Sequence, residues 1–289
     1  MIKKIVHKKI ASMDDTKLLQ SSIDEFVKWC SQNGFELNNG KCKVMTISRK
    51  RSPIEADYFI NDNLIERVYS YKDLGATYDD IFSFNGHFEL AAKKGMSMLS
   101  FVRRQCYGRF NVDTARMLYS AIVRSHLEFA CSVWAPHHSV HIQSLESVQR
   151  QFVLYANQNR YVDEDSDSYR LRPYLDRCNE LNLVSLLRRR TNAAVLFIHD
   201  VLTGKINAQF LRDRIILYDG VRSLRNPSFI RINGYKSDYY RFSSFNFACQ
   251  LFNIAVKHID SSLPSKEFRR SVLELDDSVF GKFGNPDMK

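Results

Sequence analysis

The sequence predicts an α+β fold in which a small strand-and-helix portion is followed by a mostly α-helical region. Within the first eighty residues, short β-like stretches accompany one amphipathic helix. Beyond residue 80, apolar residues recur every three or four positions, as they do in helices. The composition, 44% hydrophobic and 26% charged in a chain of 289 residues, is typical of a globular protein with a sizeable core. We therefore expect three regions, residues 1–80, 81–160 and 161–289.

The first region is expected to begin with a short strand at residues 2–10 and to continue with a helix. Apolar residues at helical spacing define that helix: Leu19, Ile23, Phe26, Val27 and Cys30. Gly34 stands where the C-terminal cap is expected. The β-like stretches that follow are residues 41–48, 58–60 and 68–71. A polar turn at residues 61–63 separates the last two stretches.

The second and third regions are predicted to be mainly helical. A first helix carries an apolar face made of Phe88, Ala92, Gly95, Leu99 and Val102. Apolar residues between 117 and 123 indicate a second helix that ends before Pro136, and those between 142 and 153 indicate a third. Two more helices are expected at residues 181–202 and at about 245–258. The acidic run at residues 163–167 is expected to be a solvated linker.

Charge and cysteine usage narrow the classes of function. With 42 Lys and Arg residues against 32 Asp and Glu, the formal net charge is +10, which favours a polyanionic partner. No apolar run reaches membrane-spanning length and no secretory signal begins the chain, so we expect an intracellular protein of the nucleus or cytoplasm, with no membrane partner. The six cysteines form no CxxC pair, and the group of Cys131, His137, His138 and His141 fits no standard zinc finger, so neither disulfides nor a metal site are expected.

The adjacent residues Asp14 and Asp15 have two interpretations. Paired aspartates are typical of polymerase metal sites, where carboxylates hold two divalent ions. The segment Ser12-Met-Asp-Asp15 also has the spacing of a helix capping box and lies directly before the apolar helical run. We favour the capping role, because the aromatic residue typical of the catalytic turn is replaced by Ser12.

A series of segments in a fixed order carries a family resemblance. Residues 18–34 and 37–50, which include Trp29-Cys30 and Lys41-Cys-Lys-Val44, resemble the part of a non-LTR retrotransposon reverse transcriptase that follows its catalytic turn. Residues 68–75 are similar to the primer-grip hairpin. Segments between residues 84 and 136 resemble the helical thumb, and residues 142–152 match the helix that follows. Segments between 171 and 229 are similar to the part that follows the thumb in arthropod elements.

This resemblance implies a palm remnant with a primer-grip hairpin in 1–80, a thumb in 81–160 and a C-terminal helical region. It places the catalytic aspartates before Met1, so we expect no catalytic residues and no RNA-directed DNA polymerase activity from this chain alone. Mg²⁺ would be a cofactor only of the complete polymerase. The resemblance also implies nucleic-acid contacts by Lys41, whose counterpart assists the leaving pyrophosphate, and by Tyr71, Lys72 and Gly75 of the hairpin.

Basic residues of the helical half are the other candidate nucleic-acid contacts. Lys93, Lys94, Arg103 and Arg104 are expected to form a positive face opposite the apolar stripe of their helix, continued by Arg109 with Tyr107 and Phe110 interleaved. Such a face binds phosphates while aromatic rings stack on bases. A merely solvated helix face is the alternative. The three arginines at 188–190 point in different directions on a helix, so one is expected to pair with an acid and another to face solvent. The run is therefore weak evidence for nuclear import or RNA binding.

Three hypotheses of function follow from the sequence. The preferred one is a truncated, transposable-element-derived reverse-transcriptase-like protein that retains binding of RNA or an RNA–DNA hybrid. The second is a protein-interaction module or non-functional retroelement remnant whose exposed apolar surface associates with other proteins. The third is a clipped gene model of a complete polymerase. The sequence leaves the oligomeric state open.

Overall fold

The computed structural model describes residues 5, 9–106, 111–158, 172–218, 229–232, 234, 237–284 and 286. The chain divides into two compact units, Met1–His87 and Phe88–Lys289. Among the described residues, the first unit mixes helix with short strands and the second is mainly helical. The prediction of a mixed α+β fold is therefore confirmed. Most of the strand predicted at 2–10 and all of the linker predicted at 163–167 lie outside the described residues.

Short strands belong to the first unit, and helices dominate the second. The strands are β1 (Lys43–Val44), β2 (Phe59–Ile60), β3 (Asn63–Leu64), β4 (Glu66–Arg67), β5 (Ser70–Asp73) and β6 (Ala76–Asp79). The α-helices are α1 (Met13–Gln32), α2 (Asn85–Cys106), α3 (Val112–Leu118), α4 (Arg124–Glu128), α5 (Cys131–Trp134), α6 (Ser139–Gln158), α7 (Tyr174–Glu180), α8 (Leu186–Leu202), α9 (Gln209–Arg212), α10 (Asp238–Arg241), α11 (Ser244–Ala255) and α12 (Ser265–Glu274). A π-helical stretch, Tyr119–Val123, joins α3 to α4, and 3₁₀ turns form at Asn39–Lys41 and Asp277–Phe283.

Helix α1 begins with the predicted capping box. The Ser12 hydroxyl accepts a hydrogen bond from the Asp15 backbone N–H at 3.3 Å, and the Asp15 carboxylate accepts from the Ser12 N–H at 2.9 Å. Asp14 pairs with Lys17 one turn later, at 2.9 Å. Both aspartates therefore serve the first turn of a helix, where unpaired N–H groups and the helix dipole favour negative charge.

Two tight hairpins form in the first unit because their turns contain adjacent residues with positive φ. Asn61 and Asp62 (φ 46° and 62°) join β2 to β3, and Leu74 and Gly75 (φ 45° and 90°) join β5 to β6. This is the backbone form that matches strand twist in two-residue hairpins. The polar turn predicted between 58–60 and 68–71 thus closes a shorter hairpin, and β1 pairs in parallel with β4.

Helix α1 packs on the first hairpin to form a small core. The buried side chains of this core are Ile23, Tyr58, Ile60 and Ile65. The Gln20 side-chain amide both donates to the Phe59 carbonyl and accepts from the Phe59 N–H, each at 3.0 Å. A polar side chain on the helix thereby satisfies the backbone of an edge strand.

Helix α2 buries its predicted apolar stripe, except that Ala91 is buried in place of Ala92. Its buried residues are His87, Phe88, Ala91, Gly95, Leu99, Val102 and Cys106, whereas Ala92 is half-buried. Gly95 faces fully buried Leu127, and a Cβ atom at Gly95 would stand 2.6 Å from Leu127 Cδ2 and 3.1 Å from Leu127 Cγ. The glycine thus permits close approach of Leu127 to the helix.

We expect Gly95→Ala to lower the free energy of unfolding by about 1–3 kcal/mol, because a buried Leu127 has little room to move. Gly86→Ala is the matched control, since Gly86 lies in the same helix with no atom within 4 Å of the added Cβ. Both changes raise helix propensity, so the difference between the two variants isolates the steric conflict. Denaturant titration measures both variants, and equal stability would contradict the packing.

The C-terminal core of the second unit lies between α8, α11 and α12. Its fully buried members include Val195, Ile198, Phe252, Phe268 and Val272. Helix α8 was predicted from residue 181 but begins at Leu186, because Asn182 has a positive φ of 50° and the Ser185 hydroxyl caps the helix by accepting from the Arg188 N–H. The predicted helix 245–258 corresponds to α11.

Candidate nucleic-acid interface

The four predicted cations of α2 are all exposed to solvent: Lys93, Lys94, Arg103 and Arg104. Glu89 is the one acidic residue within this helix. Lys93 and Arg104 are eleven residues apart on one side of the helix, which places their Cα atoms about 16.5 Å apart along its axis. Lys94 and Arg103 are nine residues apart, about two and a half turns, so they leave the helix on opposite sides. The exposed face of α2 is therefore broad, with Lys93 and Arg104 at its centre and Lys94 and Arg103 at its two edges. Positive charge arranged in this way attracts phosphates.

Side chains of two neighbouring helices lie near these cations. The Arg103 guanidinium lies 5.2 Å from the ring centroid of Tyr155 on α6, whose hydroxyl donates to the Arg103 carbonyl at 3.4 Å. On α4, burial lowers the pKa of His126 and the nearby charge of Lys94 lowers it further. The predicted continuation through Tyr107, Arg109 and Phe110 lies outside the described residues.

Two apolar side chains on the exposed side of α2 were missing from the predicted site. Leu90 is 54% exposed and Phe101 is 42% exposed. The sequence could have indicated both residues, because their positions lie outside the apolar stripe that helical periodicity assigns to the core. The face of α2 therefore combines cations with apolar surface.

The predicted contacts of the first unit fall in two segments. Tyr71 and Lys72 are exposed neighbours on β5, so their side chains leave opposite faces of the hairpin. Gly75 is exposed in the turn, where its φ of +90° is a conformation that favours glycine. Lys41 is exposed at the end of a 3₁₀ turn that Asn38 caps by accepting from the Lys41 N–H at 3.1 Å. The hairpin thus carries three of the four residues, with the side chains of Tyr71 and Lys72 on opposite faces.

The three consecutive arginines of α8 are not a surface for RNA or an import factor. Arg188 and Arg190 are buried, and the half-buried Arg189 forms an ion pair with Glu128. The predicted pairing of one arginine with an acid is confirmed, whereas the predicted exposure of another arginine to solvent is wrong. The reason is long-range packing, because α8 is surrounded by other helices of the second unit.

A buried polar network links α6 to α7 and α8. The Glu146 carboxylate, fully buried, accepts hydrogen bonds from the Tyr174 hydroxyl at 2.7 Å and from the Leu187 N–H at 2.6 Å. Buried Gln149 accepts from the Tyr119 hydroxyl at 2.9 Å and donates to the Val184 carbonyl at 3.1 Å. Burial and the Glu146 charge raise the pKa values of Tyr174 and Tyr119.

The sequence analysis did not predict this network, whose role is to stabilise the fold. Its signal was the pair Glu146 and Gln149 among the apolar positions of α6, one turn apart. Both groups satisfy buried donors, including an N–H of the first turn of α8, which has no partner within its own helix.

The histidines near α6 pack on aromatic rings. His137 stacks on Phe242 at a centroid distance of 4.5 Å, and His141 lies 4.8 Å from Phe88. Burial and the neighbouring His138 lower the pKa of His141, an effect partly offset by Glu89. Among the described residues, no group of three or more His, Cys, Asp or Glu side chains is placed to hold a metal ion.

Comparisons with protein-family models, with curated proteins and with solved structures found no match for this chain. Within the described part of the chain, no helix has the length and apolar character needed to cross a membrane.

Proposed function

We propose that this chain binds RNA or an RNA–DNA hybrid, as a reverse-transcriptase-like fragment in which a palm remnant precedes a helical thumb. The observation that carries the proposal is the exposed face of α2, where Lys93, Lys94, Arg103 and Arg104 stand along one helix that contains a single acid. A net charge of +10 adds long-range attraction for a polyanion.

The assignment to palm and thumb rests on the order of the resembling segments. A tight hairpin at β5–β6 accords with the primer-grip resemblance, and the long amphipathic helix α2 accords with a thumb. Asp15 completes the capping box of α1 and Asp14 pairs with Lys17 in its first turn, so we assign them no role in metal-dependent polymerisation.

Replacement of the four α2 cations by alanine tests the proposal. Because a phosphate that is no longer neutralised by a side chain keeps its counterions, we expect the affinity for a labelled RNA–DNA hybrid at low salt to fall by at least about tenfold. Fluorescence anisotropy of the purified full chain measures both proteins.

The matched control removes four exposed cations from another part of the second unit: Lys257, Lys266, Arg269 and Arg270. The two variants are changed by the same net charge, so a specific site predicts a larger fall in affinity for the α2 variant. Equal falls would indicate non-specific attraction. Absence of binding by the folded protein at low salt would reject the proposal, and concentration-dependent association in sedimentation would favour a protein-interaction module.

A further inference from the structure

A strained loop in the first unit holds aromatic rings at the surface. Phe82 and Phe84, which follow β6, have positive φ values of 50° and 59°. For aromatic residues this left-handed backbone is unfavourable, by on the order of 1–3 kcal/mol each. Neither ring gains full burial in return, since both side chains remain partly exposed. Such strain persists only where surrounding structure imposes it, and it concentrates at functional sites.

Hydrogen bonds from the side chains of Asp79 and Arg49 hold the loop in this strained backbone conformation. The Asp79 carboxylate accepts hydrogen bonds from the backbone N–H groups of Ile81, Ser83 and Phe84 at 3.2, 2.6 and 3.0 Å. From the other side, the Arg49 guanidinium donates two hydrogen bonds to the Ile81 carbonyl at 3.1 and 2.9 Å. The loop is therefore fixed by charge-assisted hydrogen bonds at several points.

The fixed loop completes a group of four aromatic residues that we name the aromatic platform: Tyr71, Tyr78, Phe82 and Phe84. The Tyr78 ring lies 5.8 Å from that of Phe82 and 5.5 Å from that of Phe84, centroid to centroid. Tyr71 stands directly opposite Tyr78 across the hairpin, so both leave the same face. Tyr71 is 40% exposed and the other three are partly exposed.

Positive charge adjoins the aromatic platform. The backbone N–H of Ser48 donates to the Asp80 carbonyl at 2.9 Å, which sets the run Arg49-Lys50-Arg51 beside the loop. Lys50 and Arg51 are exposed, and Lys72 leaves the opposite face of the hairpin. The carboxylate of Asp79 is occupied by the loop itself. Asp80 in the same loop is partly exposed, but the exposed cations Lys50 and Arg51 outnumber it, so the local charge favours an anionic partner.

We propose that the aromatic platform stacks on unpaired bases of a single-stranded nucleic acid while the basic run 49–51 contacts its phosphates. Aromatic rings next to cations are the arrangement that single-strand binding requires, because only unpaired bases expose their faces for stacking. This inference deepens the proposed function, on which it rests, by naming unpaired strands as the ligand of the first unit. The α2 face needs only phosphates, which a duplex also offers.

The test compares a short unstructured RNA with a hairpin RNA of equal length, both labelled, by anisotropy against the full chain. We expect Tyr71→Ala and Phe82→Leu each to weaken binding of the unstructured RNA by at least about fivefold, with little change for the hairpin RNA. Tyr71→Phe keeps the ring and should retain the affinity. Tyr240→Ala, which removes an exposed tyrosine from the second unit, should leave it unchanged. Circular dichroism establishes that each variant is folded.

The outcomes separate this inference from the proposed function. If the wild-type chain binds the hairpin RNA through α2 but Tyr71→Ala leaves binding of the unstructured RNA unchanged, the aromatic platform is rejected and the proposed function stands. If neither RNA binds and the RNA–DNA hybrid does not bind either, both are rejected; binding of the hybrid alone would reject the aromatic platform and leave the proposed function standing. A loss of self-association in Tyr71→Ala without loss of RNA binding would assign the platform to protein contact and overturn the inference.

Discussion

Glu146→Ala is expected to lower the free energy of unfolding by about 3–5 kcal/mol, the range found when one partner of a buried ion pair is removed. The carboxylate accepts from the Tyr174 hydroxyl and from the Leu187 N–H, and it lies 3.9 Å from the buried guanidinium of Arg190. Its removal deprives the Tyr174 hydroxyl and the buried Leu187 N–H of this acceptor. It also leaves the buried Arg190 guanidinium without the nearby negative charge. Chemical denaturation followed by circular dichroism measures the change.

Two further variants sharpen this prediction. Glu146→Gln keeps an acceptor oxygen for the Leu187 N–H but removes the charge, so its loss of stability should be intermediate. Glu274→Ala is the matched control, because Glu274 is a surface residue paired with Arg270 and its replacement should change stability by no more than about 0.5 kcal/mol. Equal stability of the Glu146→Ala and Glu274→Ala proteins would refute the role assigned to the buried network.

Arg188→Ala is expected to lower the free energy of unfolding by about 2–5 kcal/mol, because it leaves two carbonyl groups without their donor and each such loss costs about 1–3 kcal/mol. The buried guanidinium donates to the carbonyls of Val272 and Leu275, at 3.2 and 2.7 Å, and lies 3.3 Å from the Asp277 carboxylate. It thereby satisfies carbonyls at the end of α12 that have no partner within their helix. It also lies 4.6 Å from the ring centroid of Phe280.

Loss of Arg188 should release the segment Asp277–Phe283 as well as lower stability. Limited proteolysis with mass spectrometry should therefore show cleavage in that segment earlier in Arg188→Ala than in the wild-type chain. The exposed Arg270→Ala change is the control and should leave both stability and cleavage nearly unchanged. An unaltered cleavage pattern in Arg188→Ala would show that other contacts hold the segment.

Local signals in the sequence predicted the features that depend on local geometry. The capping box of α1 needs only Ser12 and Asp15, three residues apart, and the apolar stripe of α2 needs only helical periodicity. Exposure of the α2 cations follows from the same periodicity. Binding of nucleic acid by those cations stays a prediction.

Features that depend on distant partners were not predictable in this way. Burial of Arg188 depends on carbonyls 84 and 87 residues later in the chain, and the parallel pairing of β1 with β4 joins two-residue strands. The late start of α8 depends on the positive φ of Asn182, which apolar spacing does not reveal. For the candidate site, the strained loop after β6 appeared only in three dimensions.

The most direct measurement of the central claim is the salt dependence of RNA–DNA hybrid binding by the wild-type chain and by the variant with alanine at Lys93, Lys94, Arg103 and Arg104. We expect the logarithm of affinity to fall linearly with the logarithm of salt concentration, and the slope of the variant to be shallower by about 0.9 for each phosphate that the variant no longer neutralises. A slope unchanged by the substitution, or binding that does not depend on salt, would contradict a phosphate-binding face on α2.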